Sequence, residues 1–328
     1  MIYVETGSTD VFFNFALEYY FTAVKELSEP VFLFWRTTPT LMVGKYQNTL
    51  EEIHQEYAQQ KGIEIVRRMS GGGTIYTDLG GWQFTFIQYH DDGQIHFQKF
   101  IEPVVQALRS LGVPASFNGR NDLVIEGRKF SGNAQYKLAG HTVHHGSTLF
   151  DTDIDEMVKS TQVDPYKISS KSIKSVRDRV TNIKDHLKTP MDPLAFKKLM
   201  ISSILGEPAK SYELTAEDRR AIEAIAEEHF RPWAVRFGQN PKCTLSTTGR
   251  FPGGKITFSL NVKQGIIEEA QIHGDFFATE EAAHLGALLR GCKLERQDLT
   301  QRLLASGMDD CIYGIRVQDM VDTILSPK

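Results

Sequence analysis

A strand that runs into several bare backbones can hold an anion without using a side chain, and Arg67-Arg68-Met69-Ser70-Gly71-Gly72-Gly73-Thr74 is such a place. Three consecutive glycines present their N–H groups and tolerate left-handed conformations, so the loop can wrap an anion or a flat ligand, with two arginines just before it. A flexible turn with two solvated arginines uses the same residues. No Gly-Lys-Ser/Thr follows and no G-x-G-x-x-G is present, which excludes a Walker loop and a dinucleotide fingerprint. A second group is Asn118-Gly119-Arg120-Asn121-Asp122-Leu123, followed by Lys129 in Arg-Lys-Phe-Ser-Gly-Asn-Ala. If Phe130 points into a core, Lys129 faces the opposite side of its strand, toward whatever lies over the sheet. Ser131-Gly132-Asn133 would end that strand with small groups that let a substrate approach. An exposed hairpin lysine is the plainer alternative.

His141-x-x-His144-His145-Gly146 invites a metal reading, but on a strand His141 and His145 share a face while His144 turns away. No carboxylate or thiolate stands at ligand spacing, so one histidine contacting a ligand's polar head fits better than a structural metal site. Ile173 to Asn182 is basic and poor in large apolar groups, as a loop closing over a nucleotide or a solvated surface segment would be.

These groups need elements to hold them. Asp10 can cap a helix whose apolar positions run from Phe12 to Leu27 at three- and four-residue spacing. Strands are predicted at Val31–Trp35, Leu41–Val43, Ile63–Arg67 and Trp82–Gln88, the last with one aromatic buried side. A polar helix near 50–60 and an amphipathic one over Ile95–Leu111 lie around them, each closed by a glycine. Leu123–Ile125 and Arg128–Ser131 read as a hairpin about Glu126-Gly127, another strand covers Thr142–Phe150, and helices fall near 191–205 and 215–229. Gly238-Gln239-Asn240-Pro241 breaks the pattern, placing a domain boundary near 240. Beyond it come short strands (Lys255–Val262 and Ile266–Ile272 among them), a helix over Thr279–Arg290 and a last helical pair.

The 328 residues suit about two domains. With 41% hydrophobic and 24% charged residues the chain can fold around a core, which excludes disorder as its main state. The 37 basic and 41 acidic residues give a net charge of −4, so there is no overall basic field, and neither nucleic acid nor a membrane is expected as partner. Cys243, Cys292 and Cys311 are too few for a disulfide framework, and Met1 to Glu5 does not begin a secretory signal, so a cytoplasmic protein is expected.

Taken jointly, the order and spacing of Arg67 to Gly73, Gly119 to Leu123, Lys129 to Ala134, His144 to Gly146 and Ser175 to Asn182 resemble the lipoate-protein ligase family, of the two-domain type. The resemblance implies an α+β fold. A mixed β-sheet flanked by helices, like that of class II aminoacyl-tRNA synthetases and biotin protein ligases, would form a catalytic domain over 1–240, with a small α+β accessory domain over 245–328. It further implies ATP-dependent activation of (R)-lipoate to lipoyl-AMP, then transfer to a lysine of lipoyl-domain proteins, either glycine-cleavage H protein or 2-oxoacid dehydrogenase E2 subunits.

By the same resemblance Lys129 is the catalytic cation, shared by both substrates. Arg68, Gly73, Thr74, Ile75, Tyr76, Arg177 and Val180 are expected at ATP, and Ser70, Gly71, Gly72, Ser131, Gly132 and His145 at lipoate, with Asp122 on Mg²⁺. Thr74 stands where the family often has Ala, and Thr77 where it often has His. An octanoyl- or lipoyltransferase of the same fold would need a cysteine nucleophile, yet all three cysteines lie beyond residue 240. A biotin ligase would carry Gly-Arg-Gly-Arg, which is absent, and a non-catalytic lipoate-binding module has less need of Lys129.

Overall fold

Alternate residues of a strand face opposite ways, so a strand that is apolar throughout must be covered on both sides. Val31-Phe32-Leu33-Phe34-Trp35 is such a strand and is buried along its whole length. In the computed structural model, which describes residues 1–90, 94–161, 177–237, 245–263, 265–279 and 284–325, it lies inside an eight-stranded sheet. The first unit comprises β1 (Ile2–Val4), α1 (Val11–Ala23), β2 (Val31–Trp35), β3 (Thr40–Val43), α2 (Thr49–Glu52), α3 (Gln55–Lys61), β4 (Glu64–Arg67), β5 (Ile75–Thr77) and β6 (Gly81–Gln88). It continues with α4 (Phe97–Ser110), β7 (Ala115–Phe117), β8 (Asp122–Ile125), β9 (Arg128–Leu138), β10 (His141–Leu149), α5 (Ile154–Thr161), α6 (Pro193–Leu205), β11 (Ser211–Tyr212), α7 (Ala216–Ile225) and α8 (Trp233–Phe237).

The large sheet runs β11-β1-β2-β6-β10-β9-β8-β7, parallel across β11-β1-β2 and antiparallel beyond, while β4-β3-β5 form a small sheet of their own. Phe32, Phe34, Trp82, Phe84 and Phe86 pack against α4 and α6 on one face. Val31, Leu33, Trp35, Ile87 and Val143 pack against α1 and α7 on the other. Each fully buried large side chain stabilises by about 1.5–3 kcal/mol, so this double cover fixes the register of the central strands. The Asp10 carboxylate caps α1 by accepting from Phe12 N at 2.8 Å.

Some expectations shift. Val24 and Leu27 fall beyond the end of α1, and the 50–60 segment divides into α2 and α3, the latter closed by Gly62 at φ +63°. β6 is buried on both sides rather than one, because α1 covers the face that carries Gln83, Thr85 and Ile87. The strand after Glu126-Gly127 does not stop at Ser131-Gly132-Asn133. It runs to Leu138, because the pairing with β10 continues from Asn133 to Leu138.

The C-terminal module pairs β12 (Leu245–Phe251), β13 (Gly254–Lys263) and β14 (Ile266–Gly274) in an antiparallel meander. The meander packs around its own core with α9 (Leu285–Leu289), α10 (Arg296–Ala305) and α11 (Val317–Leu325). The boundary near 240, Cys243, residues 280–283 of the expected Thr279–Arg290 helix and residues 173–176 lie outside the described residues, and the described helix there runs over Leu285–Leu289. Among those described, no helix is long and apolar enough to cross a membrane.

His144 is fully buried, its ring stacked on Phe100 with centroids 5.0 Å apart, and burial holds its pKa well below the ordinary 6.5. The unfolded chain therefore takes up a proton below about pH 6.5 that the folded chain refuses, so this residue's contribution to stability is intact above that pH and is lost on acidification. Thermal unfolding should show stability falling by up to about 1.4 kcal/mol per pH unit below 6.5 on account of this group, with a flatter slope in His144→Gln. An identical slope in the variant would contradict the assignment.

Candidate active site

Lys129 sits beside a β-bulge and is held by backbone pairing on both edges. β8 pairs Leu123 with Ser131 and Val124 with Lys129, so Phe130 is the extra residue of β9 and Lys129 stays paired with β8, while the pairing of β9 with β10 ends at Asn133 and leaves the other edge of Lys129 open. It bridges Val180, with Lys129 N donating to Arg179 O at 2.8 Å and Thr181 N donating to Lys129 O at 2.9 Å. Phe130 is buried, and the Lys129 side chain projects to the other side, as the alternation requires. Its ammonium lies 2.7 Å from Asp122 Oδ1, over Gly132, where a β-carbon would come within 3.2 Å of Nζ.

Two cavities meet at this lysine. One, of about 120 Å³, runs between the α1 face of the large sheet and the small sheet, with Phe15, Trp35, Met42 and His145 among its walls. The other, of about 230 Å³, is lined by Ile75, Tyr76, Phe130, Met157, Val158 and Val180, among others. Thr74, Ile75, Lys129, Gly132 and Ser147 belong to both. A slot with aromatic walls and a second, largely apolar pocket thus share one cation at their common wall. Such an arrangement can hold two substrates with their reacting groups at one ammonium.

Arg68 is 5% exposed and enclosed by its own loop. Its guanidinium donates to Ser70 Oγ at 3.1 Å, Met42 O at 2.7 Å, Gly71 O at 2.8 Å and Gly73 O at 2.7 Å. Burial, with Arg67 alongside, pulls its pKa down to about 10, which leaves it charged at neutral pH. Stripping a buried charge of its partners costs about 3–5 kcal/mol, so Arg68 shapes the glycine loop first and meets the cavity only with what remains. Arg67 is committed in the same way, to the carbonyls of Gly44, Lys45, Gln47, Val235 and Arg236. Neither is the solvated arginine of a flexible turn.

Gly72 and Gly73 line the first cavity, while Ser70 and Gly71 stand behind it. The Ser70 hydroxyl meets His145 Nε2 at 2.6 Å, and His145 Nδ1 lies 3.1 Å from both oxygens of Glu18, a carboxylate 1% exposed. An acceptor-only carboxylate fixes the tautomer: Nδ1–H donates to Glu18, Nε2 accepts from Ser70, and Ser70 Oγ accepts from Arg68. The chain has the connectivity of a hydrolytic triad, but Ser70 is fully buried and offers no hydroxyl to a substrate. Tyr136 OH at 2.9 Å and Thr85 Oγ1 at 2.8 Å complete the shell of Glu18. Sequence reasoning passed over Glu18, although it is the sole charged residue between Val11 and Ala23 and so a visible signal.

His141 shares the α1 face with His145 but sits toward Glu26 and His90, and His144 faces α4. Among the described residues, no three His, Cys, Asp or Glu side chains group to hold a metal. Ser131 lines the second cavity only, and Gly132 both. Val180 lines the second cavity, and Arg177 is paired with Asp155 at 2.7 Å on the surface. Thr77 is buried and accepts from Gln83 Nε2 at 2.6 Å, so its hydroxyl serves packing. Cys292 and Cys311 are buried in the C-terminal module.

A family model of the lipoyl protein ligase A/B catalytic domain matches residues 10–205, and one of the bacterial lipoate protein ligase C-terminus matches 240–324. Lipoate–protein ligase 1 of Staphylococcus aureus is 41% identical over 297 residues, 90% of each chain. Lipoate-protein ligase LplJ of Bacillus subtilis is 38% identical over 330 residues, 99% of this chain and 100% of its own. The crystal structure of P. falciparum LipL1 in complex with lipoate superposes with a TM-score of 0.79 over 99% of both chains, and at 19% identity it speaks for the fold alone. The chain belongs to the lipoate-protein ligase family.

Proposed function

We propose that the chain activates (R)-lipoate with ATP to form lipoyl-AMP and pyrophosphate, and then passes the lipoyl group to a lysine of a lipoyl domain. The observation that carries this reading is the position of Lys129 at the wall common to the two cavities. The aromatic slot takes the eight-carbon tail, worth about 0.8 kcal/mol per buried methylene. The second cavity takes the nucleotide against the backbone of Thr74, Ile75 and Tyr76 and the side chain of Val180. The lipoate carboxylate and the α-phosphate then meet beside the Lys129 ammonium.

In the first step a carboxylate oxygen attacks the α-phosphorus and pyrophosphate leaves. In the second the acceptor amine attacks the acyl carbon and AMP leaves. Negative charge builds at the same place in both transition states, so one fixed cation serves both. The pairing with β8 and the Val180 bridge hold that cation's backbone, and Gly132 leaves room for its arm.

Mg²⁺ bound chiefly by phosphates and water would need only one or two protein carboxylates, and Asp122, beside Lys129, would supply one. The ion would offset charge on the phosphates. The Arg177–Asp155 pair is exposed and worth at most about 1 kcal/mol, so Arg177 can turn to a phosphate at little cost. Residues 1–240 are read as the catalytic domain and 245–328 as the accessory one. Acceptors of the matching chemistry are glycine-cleavage H protein and 2-oxoacid dehydrogenase E2 lipoyl domains, met in the cytoplasm.

Pyrophosphate release with lipoate, ATP and Mg²⁺ should fall by about 10²–10³ in Lys129→Ala while the fold persists. A folded variant with wild-type release removes Lys129 from the mechanism. A thioester route is disfavoured by the burial of Cys292 and Cys311, the former with its thiol pKa pushed up by that burial. Replacing Cys243, Cys292 and Cys311 together by serine should leave lipoyl transfer to an acceptor domain within about twofold of wild type, since no step uses a thiol. A folded but inactive triple variant restores the thioester.

A further inference from the structure

The glycine loop is bare for a reason that lies outside the first unit. After β14 the chain turns back across the loop: Gly274 N donates to Tyr46 O at 2.6 Å, and the Phe276 ring stacks on Tyr46 with centroids 4.6 Å apart. Gly72 N donates to Phe276 O at 3.0 Å. A β-carbon on Gly71 would stand 2.0 Å from Phe276 O, and one on Gly72, at φ +90°, would stand 2.9 Å from the Phe277 ring. The space vacated by these two glycines is occupied by the C-terminal module.

Phe277 goes further than docking. Its ring is 1% exposed, packs edge-on against Phe97 at 5.2 Å beside Ala134, and lines the aromatic slot together with Phe15, Trp35 and Met42. It is the one residue of the module among the described lining residues of that slot. Arg120 secures the arrangement from the other side, donating to Gly253 O at 2.8 Å with its guanidinium 6.0 Å from the Phe277 ring centroid. Arg120 is thus a clasp between the units, two residues before Asp122.

We infer that Phe277 is a substrate-contacting wall of the acyl slot, lent by the C-terminal module, and that it sets how wide a tail the slot accepts. The inference rests on the reading of this cavity as the acyl site. A ring removed from one wall leaves room that a straight tail cannot fill and a branched one can. The straight tail then loses contacts while the branched tail gains a place, and the nucleotide cavity, which Phe277 does not touch, is unchanged.

The test uses the full chain and pyrophosphate release with lipoate, octanoate and methyl-branched octanoates. Phe277→Ala should raise the KM for lipoate about tenfold, and should shift the octanoate-to-branched kcat/KM ratio about tenfold toward the branched acids, with the KM for ATP within about twofold. Phe277→Leu, which keeps an apolar wall of smaller size, should fall between. Phe276→Ala, which loosens the stacking on Tyr46 without reaching the slot, should keep the wild-type ratio. A wild-type ratio in both Phe277 variants overturns the inference, as does an equal shift in Phe276→Ala. Wild-type protein that releases pyrophosphate with none of the acids overturns the acyl-site reading instead.

Discussion

Backbone pairing on both edges of Lys129 sets the geometry of this molecule's centre. On one edge Lys129 pairs with Val124 of β8, with Phe130 bulged beside it. On the other edge, past the end of the β10 pairing, its backbone locks onto Arg179 and Thr181, and the ammonium comes to rest where two cavities meet. The surroundings serve that placement. Gly132 clears the volume under the lysine arm, Asp122 orients its tip, and buried Phe130 anchors the opposite face of the strand. The double cover of the large sheet, α1 on one side and α4 with α6 on the other, keeps β9 and β10 from slipping by the single residue that would turn Lys129 inward.

A second constraint is the cost of burying charge. Arg67, Arg68 and Glu18 are all nearly inaccessible, and each is surrounded by partners drawn from loops and strands far apart in sequence. Such groups fix the conformation of the segments that satisfy them, because any rearrangement strands a charge. Arg68 thereby fixes the glycine loop, and Glu18 fixes the ring of His145 at the slot. The loop that looked flexible in the sequence is among the most constrained parts of the chain.

Much of this was legible in the residues. The alternation around Phe130 told which way Lys129 points, the Asp10 cap and the Glu126-Gly127 turn located their elements, and both histidine faces followed from strand parity. What escaped depends on distance in three dimensions. Sequence cannot show that the donors of Arg68 return to its own loop, that Val180 bridges Lys129, or that Phe277 crosses from the other unit to meet Gly72, because the partners lie from a few residues to about two hundred apart and no local period links them. Glu18 was the exception, a carboxylate within an apolar helix that could have been noticed.

The central claim is that one ammonium stands between the acyl tail and the nucleotide. A crystal structure with a non-hydrolysable lipoyl-AMP analogue, its acyl sulfamate linking tail and adenosine, tests it most directly. The account predicts the tail among Phe15, Trp35 and Met42, the adenosine beside Tyr76 and Val180, and the linker within hydrogen-bonding reach of Lys129 Nζ. A linker held away from Lys129, or a tail outside the aromatic slot, would contradict it.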